Sequence, residues 1–596
     1  MDTHPTASTS ASTSTSASTS TLIDPVALAN PVLPGSHPDP SICRVGADYY
    51  LVTSSFAYFP AVPVHHSRDL LTWELIGHVV TDPAHLRCGD LDFTDTDCSD
   101  GVWAPTIRHH DGVFYVVFAL ARERQGGSTL LFTATDPRGP WSAPVVLEAD
   151  GIDPSLFFDE DGTCWFAAAR DATVARATGP AEIYVRRLDL GTLTLVGPET
   201  VIWHGAMTGT WVEAPHLVKR NGVYHLLAAE GGTERRHSVT AAQAHSVTGP
   251  WRTDPRSPLL THRHLSPEHP VQNVGHADLV DDEDGRTWAV VLGVRPLEGV
   301  HTLGREVFLV PVEWSLEGPV FAPGTGMVSA PAELPATSPR QLQPRSPSWE
   351  KITPEGPLLR SLRGPSGLSV LPEGGVGLPA GPITLSAVTG TPGFAGFPQR
   401  DVRFRAELRC STRLPSPTAE GGLALFVTPE VWAAAVVATR TDGATEVRLS
   451  TPNGWIYVAL ASGPDAKRHE GVITLAVDGD EEGYRFSFAA HRAGTTVDDE
   501  PVRWQSLGEV PRRELSNAVA GDFLGVQLGP YATDPATDPA TDPAVHSAAD
   551  PMMHPAADSL PPFVVEAFRY RSGVMGETQH QGAQHRGTRG GQSLRA

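Results

Sequence analysis

The sequence predicts an all-β protein, a five-bladed β-propeller followed by a two-sheet β-sandwich. Three observations predict it. Gly and Pro together make up 111 of the 596 residues, and helix interiors reject both. Five times the chain writes a turn residue, then four positions later an aromatic or His, then an apolar run. Each of these strands also has a second short motif upstream, at a nearly fixed distance.

The five turn-to-strand units are Gly46–Tyr50, Asp111–Tyr115, Asp161–Trp165, Asn221–His225 and Asp284–Trp288. Gly, Asp-Gly and Asn-Gly are the residues that tight hairpin turns demand. Pro40, Pro105, Pro215 and Asp278 each precede their unit's aromatic or His by 10 residues, and Pro154 precedes Trp165 by 11. One hairpin recurs per unit, with room for two further strands, which is the content of a propeller blade. A sandwich with evenly spaced strands is the rival, but it would not repeat a motif pair in register. The propeller is assigned to residues 28–315.

Residues 316–349 are rich in Pro, Ala and Ser and read as a linker. Over 350–571, short alternating strands such as Val402–Leu408, Gly422–Val427 and Trp432–Ala438 predict the sandwich. Within it Thr533-Asp-Pro-Ala is written three times, which reads as a surface insertion. Residues 1–27 (Ser, Thr and Ala) and 572–596 (Gly, Gln and Arg) read as disordered tails.

The balance of 45 Lys and Arg against 68 Asp and Glu gives a net charge of −23. Nucleic-acid binding needs a cationic face, and no basic block supplies one. No apolar run approaches the roughly 18 residues that span a bilayer, so no membrane partner is expected. Cys43, Cys88, Cys98, Cys164 and Cys410 lack CxxC spacing and read as scattered thiols. With no secretory signal in the first residues, a cytoplasmic location is expected.

The first strand of each blade lines a propeller's axis, so matching repeat positions converge there. Asp39 and Asp153 stand immediately before Pro in the first and third units, and Glu213 stands one residue earlier in the fourth. Three carboxylates from three blades therefore face one channel mouth. Carboxyl groups gathered in a concave site suit glycoside hydrolysis, where one delivers a proton and another activates water or attacks carbon. The competing reading makes each Asp-Pro an ordinary turn opener. His276 begins the fifth unit at the matching place, as a core histidine or a ligand to an axial ion. Arg295 ends a strand, as a site residue or an ion-pair member. Phe56 and Trp103 flank axial motifs and can stack on a sugar face or fill the core.

The motifs resemble glycoside hydrolase family 43, specifically its β-xylosidases with a C-terminal sandwich. The resemblance rests on Asn30-Pro-Val-Leu-Pro-Gly-Ser-His-Pro-Asp-Pro-Ser-Ile42, Gly101-Val-Trp-Ala-Pro105, Ile152-Asp-Pro-Ser155 and Trp211-Val-Glu-Ala-Pro-His-Leu217. Further on it rests on Ala229-Glu-Gly-Gly232, Gly275-His-Ala-Asp-Leu279, Thr302-Leu-Gly-Arg-Glu306 and, more weakly, Gly521-Asp-Phe-Leu-Gly525. It departs from the pattern at Ala57, Ala61 and Ala214.

The resemblance implies a concanavalin-like sandwich and an inverting exo-hydrolase that releases xylose from xylo-oligosaccharides, with α-L-arabinofuranosidase activity as a side or main activity. It makes Asp39 the general base, Glu213 the general acid, and Asp153 the group that raises the acid's pKa. Arg295 would touch Asp153 or the sugar, Phe56 and Trp103 would wall the sugar pocket, and Phe523 would close one end. No cofactor is required; a calcium ion near the axis, with His276 beside it, is the one metal the resemblance allows. A homo-oligomer is left open, and a non-catalytic carbohydrate-binding propeller is the rival from another class.

Overall fold

The computed structural model describes residues 30–88, 92–122, 127–176, 179–329, 350–351, 358–372, 374–460, 471–491, 503–521, 523–537 and 561–573. The expected tails lie outside these residues, apart from 572 and 573. So do most of the expected linker (330–349) and nearly all of the second and third Thr-Asp-Pro-Ala copies.

Five antiparallel four-stranded sheets follow one another in chain order. Their axial strands are Ser41–Val45, Gly101–His110, Ile152–Phe158, Val212–Arg220 and Gln272–Asp281. The ring closes through Asn30, whose amide bonds Leu309 in both directions, Nδ2 donating to its carbonyl at 2.9 Å and Oδ1 accepting from its N–H at 2.8 Å. Between blades, apolar faces such as Val52, Val64, Ile107, Val116 and Phe118 form wedge-shaped cores.

The last blade ends on Gly318–Phe321, so the expected boundary at 315 falls one strand too early. The hairpin turn at Leu316-Glu317 hides that strand in a stretch that reads as linker. The packed chain then continues to Val328, whose N–H donates to His262 Nε2 at 2.9 Å.

Among the described residues the C-terminal domain is built on two eight-stranded sheets packed over Phe394, Phe397, Leu408, Leu425, Leu475 and Phe488. The first Thr533-Asp-Pro-Ala copy is structural rather than inserted. Thr533 ends the strand Gln527–Thr533, and Asp534 accepts from Thr418 Oγ1 at 2.7 Å.

One strand of this domain is not its own. Tyr58–Phe59, from a propeller loop, pairs antiparallel with Arg360–Leu362 at the edge of the sandwich sheet. Arg363 N–H extends the pairing to Ala57 O at 2.7 Å. A second junction joins two glycine loops. A Cβ at Gly525 would lie 2.6 Å from Gly304 N, so the backbones meet directly, and Val526 N–H donates to Thr302 O at 2.8 Å.

Candidate active site

Each blade carries the same backbone device at the top of its axial strand. Asp39, Ala104, Asp153, Ala214 and His276 all have left-handed φ, between 40° and 56°. In blades two to five a register break falls there, for example between Glu213 and His216. Such a bulge re-aims side chains and breaks the in-out alternation. It explains how consecutive residues of one strand can serve the same cavity. His276 takes the place of Asp39, as its position in the fifth unit suggests. The Asp278-to-Trp288 spacing of 10 would point to Ala277 instead, but the hairpin after Asp281 is one residue longer, as it is in the third blade.

The bulges open onto a cavity of about 400 Å³ lined by Asp39, Asp153, Glu213, His276, Phe56 and Trp103. Phe523, from the sandwich, and Arg305 complete the inner wall, and Trp211, Arg170 and Glu234 stand among the remaining lining. Seven of the eight residues expected at the site therefore meet in one cavity.

Arg295 does not. It is engaged by Glu306, Nε to Oε2 at 2.7 Å and Nη2 to Oε1 at 2.8 Å, and makes no contact with Asp153. The guanidinium that engages a catalytic carboxylate is that of Arg305, ten residues later. Its Nη1 donates to Asp39 Oδ1 at 2.9 Å, and its planar group lies 5.5 Å from the Phe56 ring centre and 5.2 Å from that of Phe523. The Thr302-Leu-Gly-Arg-Glu306 motif held this residue in view, but only the fold reveals its partner 266 positions away.

The three carboxyl groups have different surroundings. Asp39 also accepts from Ser54 Oγ at 2.6 Å and faces His276 Nδ1 at 3.5 Å. Burial alone would raise its pKa, but Arg305, His276 and Ser54 outweigh burial and hold it below the ordinary aspartate value. Asp153 goes the other way. Burial, then Glu213, then Asp39 push it well above that value, against one N–H donated by Ala214 at 3.0 Å. Neighbouring carboxylates cannot both ionise cheaply, so the like charges of Asp153 and Glu213 favour a proton at this end of the site. One site thus holds an ionised acid and a retained proton side by side.

Below this layer the axis is plugged. Arg108 Nη1 donates to Asp278 Oδ2 at 2.8 Å, Arg108 Nη2 lies 3.0 Å from His216 Nδ1, and Ser41 Oγ donates to Asp278 at 2.7 Å. Burial opposes ionisation of Asp278, yet Arg108, His216 and Ser41 hold it well below the carboxylate range. Burial also keeps His276 neutral, with its pKa lowered to about 4. Among the described residues no three His, Cys, Asp or Glu side chains are placed to hold a metal ion. Asp39, the carboxylate nearest His276, is already committed to Arg305 and Ser54. The surroundings of His276 therefore do not fit a calcium ion held by protein side chains.

Behind His276, Gly275 is required for space. A Cβ there would lie 2.5 Å from the ring of His237.

Comparison with known proteins gives a consistent result. The model for "Glycosyl hydrolases family 43" matches residues 28–320, and that for "Beta xylosidase C-terminal Concanavalin A-like domain" matches 368–546. A xylosidase/arabinosidase of Butyrivibrio fibrisolvens is 45% identical over 310 residues, which is 51% of this chain and 58% of that protein. A non-reducing end α-L-arabinofuranosidase of Bacteroides ovatus is 31% identical over 85% of this chain and 91% of its own length. The crystal structure of a xylan β-1,4-xylosidase from Bacillus halodurans superposes with a TM-score of 0.75 at 29% identity, covering 91% of this chain and all of that one.

Proposed function

Because the chain belongs to glycosyl hydrolases family 43, we propose that it removes single pentose units from the non-reducing ends of short xylo-oligosaccharides with inversion at the anomeric carbon. The observation that carries this reading is the division of labour among Asp39, Asp153 and Glu213 within one cavity.

Asp39, held ionised by Arg305, takes a proton from water as the water attacks the anomeric carbon. Glu213 gives its proton to the departing glycosidic oxygen, and Asp153 beside it keeps that proton in place until it is needed. Arg305 Nε and Nη2 are buried without a hydrogen-bond partner, donors well placed for sugar hydroxyls. Phe56 and Phe523, edge to face with ring centres 6.4 Å apart, close one end of the cavity, which favours chain ends over internal bonds.

Asp39→Asn and Glu213→Gln should each lower kcat on an aryl β-xyloside by about 10²–10⁴. Near wild-type turnover by either variant removes the assignment. Proton NMR of the first product should show the inverted anomer.

The Bacteroides relative, matched over most of both chains, favours a second reading in which arabinofuranose is the preferred sugar. Initial rates on paired aryl β-xyloside and aryl α-L-arabinofuranoside decide between the two.

A further inference from the structure

Where the borrowed propeller strand meets the sandwich, the structure buries a guanidinium that has no counter-charge. Arg360 is 4% exposed; its backbone pairs with Gly396 in the sandwich sheet, and its guanidinium, in no ion pair among the described residues, lies over the ring of Tyr58, 5.7 Å away. Around it stand His37, His65 and His78, each at least nine-tenths buried. The rings of His37 and His65 meet edge to face at 5.1 Å. His37 Nδ1, His65 Nδ1, His78 Nε2 and the Tyr58 hydroxyl are all buried without a hydrogen-bond partner.

These groups do not suit a metal ion, since the guanidinium among them repels cations and they form no ligating group. They suit the opposite charge. Burial keeps His65 and His78 neutral, with pKa values lowered to about 3, and lowers His37 well below the ordinary value, so the fixed positive charge here is that of Arg360, with Arg400 also acting on His37. A neutral imidazole can place its N–H on either ring nitrogen, and a phenol can donate its O–H. The orphaned atoms are therefore potential donors gathered about one buried cation. Water could satisfy the donors but would leave the charge unbalanced, and an unbalanced buried charge is strongly destabilising.

We propose that this seam binds a small monovalent anion, of which chloride is the probe, against Arg360 with donors from His37, His65, His78 and Tyr58. The site lies outside the catalytic cavity and does not depend on the glycosidase reading. By bridging residues of the propeller and the sandwich, the anion stabilises their docking, and so the folded state, by mass action.

The test is thermal melting of the full chain in sodium chloride and in sodium gluconate at equal ionic strength, with the same pair of scans on Arg360→Met. Chloride should raise the wild-type midpoint by about 2–6 °C in a saturable way, and the variant should not respond. Equal wild-type midpoints in the two salts, or an undiminished chloride response in Arg360→Met, overturn the proposal. If the variant does not fold, crystals of the wild type grown in bromide decide. An anomalous peak beside the Arg360 guanidinium supports the site, and density for water alone there refutes it.

Discussion

Replacing Arg305 with Met should move the acid limb of the pH–activity profile upward. Arg305 lies 2.9 Å from Asp39, and both are nearly buried. An opposite charge at this range lowers a carboxyl pKa by about 1–3 units, equal to about 1.4–4 kcal/mol. Burial pulls the other way, so without Arg305 the Asp39 carboxyl should titrate above its wild-type position. The sign follows from the role. Asp39 must be ionised to activate water, so a raised pKa removes activity from the acid side first. In the wild type the limb lies below the ordinary aspartate value, in a region where the fold itself is challenged by acid. In Arg305→Met it should emerge as a titration of kcat/KM on aryl β-xyloside, read over a pH range in which circular dichroism shows the variant folded. Lost sugar contacts will also lower the plateau, but amplitude does not move a limb. A limb that stays put, or moves down, refutes the claim that Arg305 sets the ionisation of Asp39.

Phe523→Ala should join the catalytic cavity to the neighbouring one of about 320 Å³ that shares Phe523 as a wall. Losing the wall should raise KM; products longer than a monosaccharide should appear from xylotetraose, and an unchanged KM with pentose as sole product contradicts the end-wall role. Asp278→Asn leaves Arg108 buried without its counter-charge and should cost about 3–5 kcal/mol in urea unfolding; a loss under 1 kcal/mol would mean the axial network is not structural. Acid stability should fall steeply below about pH 6. His65, His78 and His237 are buried neutral, their pKa values lowered to about 3 by burial, so the unfolded chain takes up protons first. Each contributes a loss of about 1.4 kcal/mol per pH unit between the unfolded value and about pH 3. A denaturation midpoint flat from pH 6.5 to 4.5 would contradict this.

Much of the architecture was legible because a propeller repeats, and a repeat can be read from spacing alone. Asp39, Asp153 and Glu213 stood out because matching positions on a ring must meet. The same reasoning slipped by one residue in the fifth blade, where a longer hairpin turn keeps the distance from Asp278 to Trp288 at 10 while shifting what faces the axis. It also settled on Arg295 rather than Arg305. Both end up near the domain junction, and what separates them is a partner, Glu306 for one and Asp39 for the other. Pairing across 266 residues leaves no local mark in composition or periodicity. The two-residue strand Tyr58–Phe59 was equally hidden, since its hydrogen bonds go to another domain.

That strand limits how the enzyme can be taken apart. Cutting the chain between propeller and sandwich would strip the sandwich sheet of its border and leave Tyr58 and Phe59 with unmatched backbone groups. Neither half would be a self-sufficient module. A chimera that trades sandwiches between relatives would have to carry the propeller loop around residues 57–60 along with them, because by its hydrogen bonds that loop already belongs to the graft.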